Sequence, residues 1–205
     1  GDVYKRQTLV GTPWAISEVQ FSNVFNLIDK GFLQLMVNGR MPSMVSGRSI
    51  SRAPGTNAET TELETGKETL ANLTLIADAT PATLKQKIYQ AVATWVAQVG
   101  ERYNFYDKPR DYAALNGLKT ALHQATAQKD DVSSLNIYGA MDRVMQKTPT
   151  HAVGIAMYSN RIANFEYGNT ENSHAWHTAD GMVYLYNNDL NQFGEGYWTT
   201  CPLYT

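Results

Sequence analysis

The spacing of the apolar residues changes along this chain. In the first part, up to about residue 125, they recur at steps of three and four, which places them on one face of a helix. After about residue 136 they form short runs over 141–147, 152–159 and 182–186, rich in Val, Ile, Tyr and Met and separated by Gly, Asn, Asp and Pro. Such runs are typical of strands. Helices first and strands afterwards predict an α+β chain, with a helical region followed by the start of a β domain.

The first predicted helix is followed by a long loop. Asn38-Gly39 ends the helix, because both residue types tolerate the left-handed backbone at a helix terminus. Residues 40–60 are rich in Gly, Ser, Pro and Arg, which predicts a long ordered loop. The apolar stripe of this helix consists of Phe21, Val24, Phe25, Ile28, Phe32, Leu35 and Met36.

Three more helices are predicted before the strands. A weaker one is expected over 61–77. The next begins at Thr80-Pro81, interpreted as a cap followed by a first-turn proline, and stops at Gly100. The last covers 112–122. The stripe residues are Leu84, Ile88, Val92, Val96 and Val99 in the third helix and Tyr112, Leu115, Leu118 and Leu122 in the fourth.

Charge and composition exclude several classes of protein. The net charge of -2 over 205 residues argues against generic nucleic-acid binding, which usually needs a basic excess. The single Cys201 excludes an internal disulfide framework. The sequence has no run of about 18 apolar residues, so we predict no membrane-spanning helix. We therefore expect neither nucleic acid nor membrane among the partners.

The ends of the chain suggest a piece of a longer protein. Residues 1–7 read Gly-Asp-Val-Tyr-Lys-Arg-Gln, which matches one frame of a translated sequencing adapter, and we leave them out of the fold prediction. The sequence stops at Thr205, just after an aromatic run, where a β domain would be expected to continue. We interpret the chain as an internal piece.

Two segments carry charges that could act together. Ser46-Gly47-Arg48-Ser49-Ile50-Ser51-Arg52 places two arginines four residues apart among small residues, so both guanidinium groups could face one carboxylate or sulfate. The alternative is a solvated loop whose arginines cap helix ends. Residues 164–172 crowd two carboxylates and three carboxamides beside aromatics, a set suited to holding arginines and binding sugar hydroxyls. The alternative is a polar turn.

A third segment is aromatic. It runs from Trp176-His177 to Tyr186 and continues at Tyr197-Trp198. Aromatic faces stack on sugar rings, but aromatics are also common in the cores of β sheets. His174 and His177 lie three residues apart with no third ligand nearby, so we predict no metal site. No phosphate loop, Ser/His/Asp arrangement or His-Glu-x-x-His motif is present.

Together these segments resemble polysaccharide lyase family 8, the hyaluronate, chondroitin and xanthan lyases. The run Gly-Arg-Ser-Ile-Ser-Arg at 47–52 looks like the arginine loop of that family. The blocks 159–172, 176–187 and 196–198 look like its second signature, in the same order. The resemblance covers residues 20–205. It implies the last helices of an incomplete α/α toroid followed by the first strands of an antiparallel β-sandwich, with domains at 8–135 and 136–205.

The resemblance also implies a chemistry and residue roles. The family cleaves uronic-acid polysaccharides by β-elimination, with a tyrosine as base and acid and an asparagine and a histidine at the carboxylate. By position, Arg48 matches the arginine near the catalytic tyrosine, and Glu166 matches the glutamate that orients the arginines. Arg52 and Asn169 match substrate-binding residues, and we assign Trp176 to substrate binding as well. No cofactor is implied.

The resemblance leaves one part of the site unmatched. The asparagine, histidine and tyrosine of the family precede the arginine loop, whereas His123, His151, His174 and His177 all follow it. We therefore expect the isolated chain to be inactive and the full-length protein to be a secreted, monomeric lyase acting on acidic polysaccharide. Two alternatives stay open: a non-catalytic module that binds acidic carbohydrate, and an α/α-toroid glycoside hydrolase using two carboxylates.

Overall fold

The computed structural model describes residues 12–15, 17–48, 58–99, 112–128, 133–177 and 179–189. Within them, helices precede a four-stranded antiparallel sheet, which confirms the predicted fold class. The helices are α1 (Glu18–Asn26), α2 (Ala58–Ala77), α3 (Ala82–Val99) and α4 (Tyr112–Gln124). The strands are β1 (Ser134–Tyr138), β2 (Arg143–Lys147), β3 (His151–Ala156) and β4 (Met182–Asn187).

The chain groups into two compact units. One comprises residues 1–34 and 67–129, and the other comprises residues 35–66 and 130–205. Helix α2 contributes its first part to the second unit and the remainder to the first. The predicted boundaries of the adapter, the helical domain and the β domain, 1–7, 8–135 and 136–205, stay predictions.

Helix α1 begins at a capping box and then changes its winding. The Ser17 hydroxyl accepts a hydrogen bond from the Gln20 N–H, and the Gln20 side chain accepts one from the Ser17 N–H. The helix continues as a π-helical segment, Leu27–Phe32, and a last α turn, Leu33–Leu35. A π turn adds a residue and rotates the apolar face. Phe32, predicted in the stripe, is therefore exposed, while Leu33 is buried.

Helices α3 and α4 pack against each other. The α3 stripe is confirmed, with Leu84, Ile88, Val92 and Val99 buried and Val96 half-buried. The carbonyl of Pro81 accepts hydrogen bonds from the N–H groups of Leu84 and Lys85, so the proline caps α3 instead of lying in its first turn. Tyr112 was predicted in the α4 stripe but is exposed at the start of that helix.

None of the helices that the structure describes is long and apolar enough to cross a membrane.

Strand β1 was not predicted as a separate run, because Leu135 and Ile137 alternate with polar residues over only five positions. The predicted strand over 141–147 begins two residues late, at Arg143. Asp142 has a φ of 53°, which excludes it from a strand and places it in the turn after β1.

The sheet has the order β1-β2-β3-β4, and each pair is antiparallel. One face carries Met145, Ala152 and Tyr186, which are buried. The other face presents apolar side chains that are exposed: Leu135 and Ile137 on β1, and Val183 and Leu185 on β4. Successive residues of a strand point to opposite faces, so the register of the four strands fixes which residues line the buried face.

Candidate functional site

The loop that carries Arg48 is anchored at its start by a buried carboxylate. The Glu62 side chain accepts a hydrogen bond from the Ser43 N–H at 2.6 Å and one from the Tyr186 hydroxyl at 3.1 Å. Its backbone carbonyl accepts from the Met41 N–H. Burial raises the pKa of Glu62, and the hydrogen bonds from Ser43 and Tyr186 and the charge of Arg40 only partly offset that rise. Helix α2 and strand β4 thus hold the first turn of the loop.

The same loop is fixed to the sheet through Met44. The Arg143 Nε donates a hydrogen bond to the Met44 carbonyl at 2.9 Å. The Met44 side chain lies over Gly154, where a Cβ atom would be 3.0 Å from its sulfur. A residue larger than glycine at position 154 would therefore require the Met44 side chain to shift. The 3-10 turn Ser43–Val45 ends three residues before Arg48, so these contacts determine where that arginine lies.

The acidic partners of Arg48 come from a tight turn after the strands. Gly168 and Glu171 pair through both backbone hydrogen bonds, at 2.9 and 3.4 Å. The two residues between them, Asn169 and Thr170, have φ of 53° and 62°, as a type I′ hairpin requires. Asn172 donates from its side chain to the Glu166 carbonyl at 2.8 Å. The segment 166–172 therefore has a defined shape, although it lies in no regular strand.

Arg48, Glu166 and Glu171 form an ion cluster. The Arg48 Nη1 lies 3.8 Å from the Glu166 Oε1, and the Arg48 Nε lies 3.5 Å from the Glu171 Oε2. The side chains of Arg48 and Glu166 are 37% and 40% exposed, whereas that of Glu171 is 20% exposed. One cation beside two carboxylates gives the cluster a formal charge of -1, and both contacts are ion pairs rather than hydrogen bonds.

Glycines permit this close approach. Gly47 has a φ of 56°, and a Cβ there would lie 3.2 Å from a carboxylate oxygen of Glu166. A Cβ on Gly168 would lie 3.1 Å from the Arg48 Nε. A side chain at either position would displace the ion pair. Gly47 was predicted to be one of the small residues beside Arg48, whereas no role was predicted for Gly168.

The predicted site residues fall into three groups. Arg48 and Glu166 lie together, as described above. Asn169 is exposed at the tip of the turn that carries Glu171. Trp176 is 57% exposed in the 3-10 turn Ala175–His177, with its ring centroid 4.9 Å from that of His174. Arg52 lies outside the described residues. The roles assigned to these residues stay predictions.

A second cluster, formed by Asp142, Ser159 and Arg161, holds the chain that leads into the segment 166–172. Asp142 accepts hydrogen bonds from the Ser159 hydroxyl at 2.6 Å and from Arg161, and its carbonyl accepts from the Met157 N–H. Arg161 also donates to the Gly139 carbonyl. The hydrogen bond from Ser159, followed by that from Arg161, lowers the pKa of Asp142. Sequence reasoning missed Asp142, Glu62 and the pairing of Glu171 with Arg48, because no local motif marks such distant contacts.

Among the residues that the structure describes, no group of three or more His, Cys, Asp or Glu side chains could hold a metal ion.

Two of the described tyrosines, Tyr138 and Tyr186, have a shifted pKa. Burial raises the pKa of Tyr138 to about 12. Burial raises the pKa of Tyr186 as well, and the neighbouring Glu62 adds to the effect. A tyrosine acting as a base needs the opposite shift, so neither is suited to proton abstraction.

The sequence of this chain, helical first and then strand-forming, matches two models of one protein family. The model of the polysaccharide lyase family 8 N-terminal alpha-helical domain matches residues 5–94, and that of the family's super-sandwich domain matches residues 133–205. The fold and these matches define the class as polysaccharide lyases. The chain belongs to polysaccharide lyase family 8.

Individual relatives agree with this assignment. The chain is 58% identical over 197 residues to the polysaccharide lyase 8 family protein HylA of Enterococcus faecalis (strain ATCC 700802 / V583), covering 96% of this chain and 14% of that protein. It is 36% identical over 179 residues to the hyaluronate lyase HylB of the same strain, covering 86% and 17%. The chain therefore spans about a sixth of the length of these relatives or less.

A solved structure shows the same fold. The chondroitin AC lyase of Streptomyces coelicolor A3, solved in complex with chondroitin sulphate, superposes with a TM-score of 0.81 at 23% identity. The match covers 96% of this chain and 27% of that structure. The prediction of a family 8 chain, made from the arginine loop and the second signature, is confirmed.

Proposed function

We propose that the full-length protein containing this chain is a secreted lyase that cleaves uronic-acid polysaccharide by β-elimination. The observation that carries the proposal is the ion cluster of Arg48, Glu166 and Glu171 in a chain of this family. In this reaction a base removes the proton beside the uronic carboxylate, and the glycosidic oxygen leaves from the neighbouring carbon. Electrostatic stabilisation of the developing negative charge supplies much of the rate.

Arg48 would act close to the reacting atoms. Its guanidinium keeps its charge at any pH and donates hydrogen bonds in a fixed plane. Placed near a tyrosine base, that charge would lower the pKa of the tyrosine and so increase the fraction of active base at neutral pH. Glu166 would hold the plane of the guanidinium. Asn169 and Trp176, both exposed beside this cluster in the sequence, would bind the sugar, as would Arg52.

We further propose that the 205 residues alone do not turn over substrate. The chain spans only 14% and 17% of two relatives, and its four histidines all follow the arginine loop. The raised pKa values of Tyr138 and Tyr186 also make both poor bases. The remaining catalytic groups would lie upstream of Arg48 in the full-length protein. A polymeric substrate cannot enter a cell intact, which supports action outside the cytoplasm.

The hydrolase alternative fits the geometry less well. A glycoside hydrolase needs two carboxylates on opposite sides of the scissile bond, separated by roughly 5 to 9.5 Å of open space. Glu166 and Glu171 instead converge on one guanidinium. This convergence supports a role in holding Arg48. The binding-module alternative makes no demand on the carboxylates, and activity measurements separate it from the lyase.

The test is an activity assay on the full-length protein. Hyaluronan, chondroitin sulfate and xanthan are each incubated with the protein while ultraviolet absorbance is followed, since elimination creates a conjugated double bond and hydrolysis does not. We expect absorbance to rise on at least one polymer, and Arg48→Ala and Glu166→Ala to slow the rise strongly. Reducing ends without absorbance would indicate a hydrolase, and binding without either product would indicate a binding module. Activity of the isolated 205 residues would contradict the proposal that they are inactive.

A further inference from the structure

The family resemblance implies a role for Glu166 but none for Glu171, the second carboxylate of the ion cluster. We propose that Glu171 is a positioning residue for Arg48, distinct from Glu166 and needed for the same reaction. The inference rests on the proposed lyase function, because it concerns how the arginine is presented to the substrate. Arg48 and Glu171 contact each other through sheltered atoms, and a tight turn holds the glutamate in place.

The two carboxylates contact different nitrogens of one guanidinium. Glu171 lies 3.5 Å from the Arg48 Nε, and Glu166 lies 3.8 Å from the Nη1. A carboxylate at one nitrogen leaves the planar group able to rotate about that contact. Carboxylates at two nitrogens fix both its position and its plane. Glu171 is therefore required for a single orientation of Arg48 even when Glu166 is in place.

The Glu171 contact is the more sheltered of the two. The Arg48 Nε and the Glu171 Oε2 both have almost no solvent-accessible surface. The Glu171 side chain is 20% exposed, half the 40% of Glu166. Water screens a sheltered ion pair less than an exposed one, so Glu171 makes the stronger of the two electrostatic contacts.

The backbone holds Glu171 in place. The hairpin closes through hydrogen bonds between Gly168 and Glu171, with Asn169 and Thr170 in the left-handed region between them. This conformation is unusual for threonine, a β-branched residue, and persists only where the surroundings impose it. A Cβ built on Gly168 would lie only 3.1 Å from the Arg48 Nε. The first and the last residue of this turn therefore both lie close to the Arg48 guanidinium.

The experiment is a double-mutant cycle in the full-length protein. Glu171→Gln keeps the shape of the side chain and removes its charge, and it is combined with Arg48→Ala. The matched control is Glu64→Gln, an exposed glutamate on α2. We expect Glu171→Gln to lower kcat roughly ten- to a hundredfold with little change in KM, since a displaced catalytic group costs about that much. In the Arg48→Ala background it should have no further effect, because its action passes through Arg48.

Two further readouts separate positioning from a general effect on folding. If Glu171→Gln lets Arg48 move away from the base, the acid limb of the pH profile of kcat/KM shifts to higher pH, whereas a loss of folded protein alone leaves the profile in place. A crystal structure of the Glu171→Gln protein should show the Arg48 guanidinium displaced or rotated. An unchanged Arg48 position with unchanged kcat would overturn the inference.

The outcomes also distinguish this inference from the proposed function. If the wild-type protein makes unsaturated product and Glu171→Gln does so at the same rate, the lyase proposal stands and the role of Glu171 is wrong. If the wild type makes no unsaturated product, the lyase proposal fails, and the position of Arg48 in the variant crystal then decides whether Glu171 orients the arginine. Equal losses from Glu171→Gln in both members of the cycle would show an effect independent of Arg48 and would also overturn the inference.

Discussion

Arg40 and Arg48 belong to the same unit, each near glutamate, but their surroundings differ. Arg40 is fully buried, and its charge partly offsets the rise in the pKa of Glu62, a carboxyl that also binds Ser43 and Tyr186. The Arg48 side chain is 37% exposed beside Glu166 and Glu171. Arginine and glutamate thus lie together in the buried interior at one place and at the solvent-accessible surface at the other.

The energetic consequence follows from desolvation. Removing one partner of a buried ion pair leaves an uncompensated charge and typically costs about 3 to 5 kcal/mol. An exposed pair contributes about 0 to 1 kcal/mol, since water solvates both charges after the pair is broken. Stability should therefore depend on Arg40 more than on Arg48.

The largest expected effect is that of Arg40→Ala. We expect the free energy of unfolding of the chain to fall by about 3 to 5 kcal/mol, because removal of the fully buried Arg40 side chain would leave a cavity and take a positive charge away from Glu62. Urea denaturation measures the change. The paired control is Arg48→Ala, which should lower stability by no more than about 1 kcal/mol. Equal losses from the two variants would remove the distinction between the arginines.

The next effect is on activity. Arg48→Lys in the full-length protein keeps the positive charge but loses the planar fork, so contacts to Glu166 and Glu171 cannot both be kept. We expect kcat to fall about a hundredfold, or about 2.7 kcal/mol, with the midpoint of thermal unfolding almost unchanged. Steady-state kinetics and a thermal melt test this together. Full activity in the lysine variant would show that charge alone suffices.

A smaller effect is expected at Tyr186. Its hydroxyl donates to the Glu62 side chain at 3.1 Å, and both residues are buried. Tyr186→Phe removes that donor and leaves the carboxylate with one hydrogen bond fewer, which should cost about 1 to 3 kcal/mol of stability. Tyr184→Phe on the same strand is the control, since its ring is only half-buried. If the control loses as much stability as Tyr186→Phe, the loss does not come from the hydrogen bond to Glu62.

The two arginines also show what the sequence can predict. Arg48 was found because it lies in a recognisable run, Gly-Arg-Ser-Ile-Ser-Arg, whose chemistry the spacing suggests. Arg40 was not singled out, because its burial depends on residues far apart in the sequence. A Cβ on Gly66 would lie 1.9 Å from the Gly39 carbonyl oxygen. The backbones of Gly66 and Gly39 therefore approach each other closely, a long-range contact that no sequence motif predicts.

The same contrast between local patterns and long-range contacts holds for the helices and strands. The α3 stripe and the change from helical to strand periodicity are local patterns and were predicted correctly. Exposed Phe32 was placed wrongly, because the π-helical segment adds a residue to the helical period. Glu171 was recognised as part of a polar segment, but its contact with Arg48 requires a turn with two positive φ values, one of them at Thr170. Sequence patterns report periodicity well and long-range contacts poorly.

The smallest effect should appear in the pH dependence of stability, where two carboxyl groups act in opposite directions. The pKa of Glu62 is raised from about 4.5, so its contribution to stability is present below pH 4.5 and is lost as the pH rises through its folded value. The pKa of Asp142 is lowered from about 3.8, so its contribution is present above pH 3.8 and is lost as the pH falls through its folded value. Glu62→Gln should therefore gain stability relative to wild type as the pH rises from 4.5 to 7. Asp142→Asn should instead gain stability relative to wild type as the pH falls below 3.8. Urea denaturation across this range tests both, and parallel pH curves for Glu62→Gln and wild type would show that burial does not raise the pKa of Glu62.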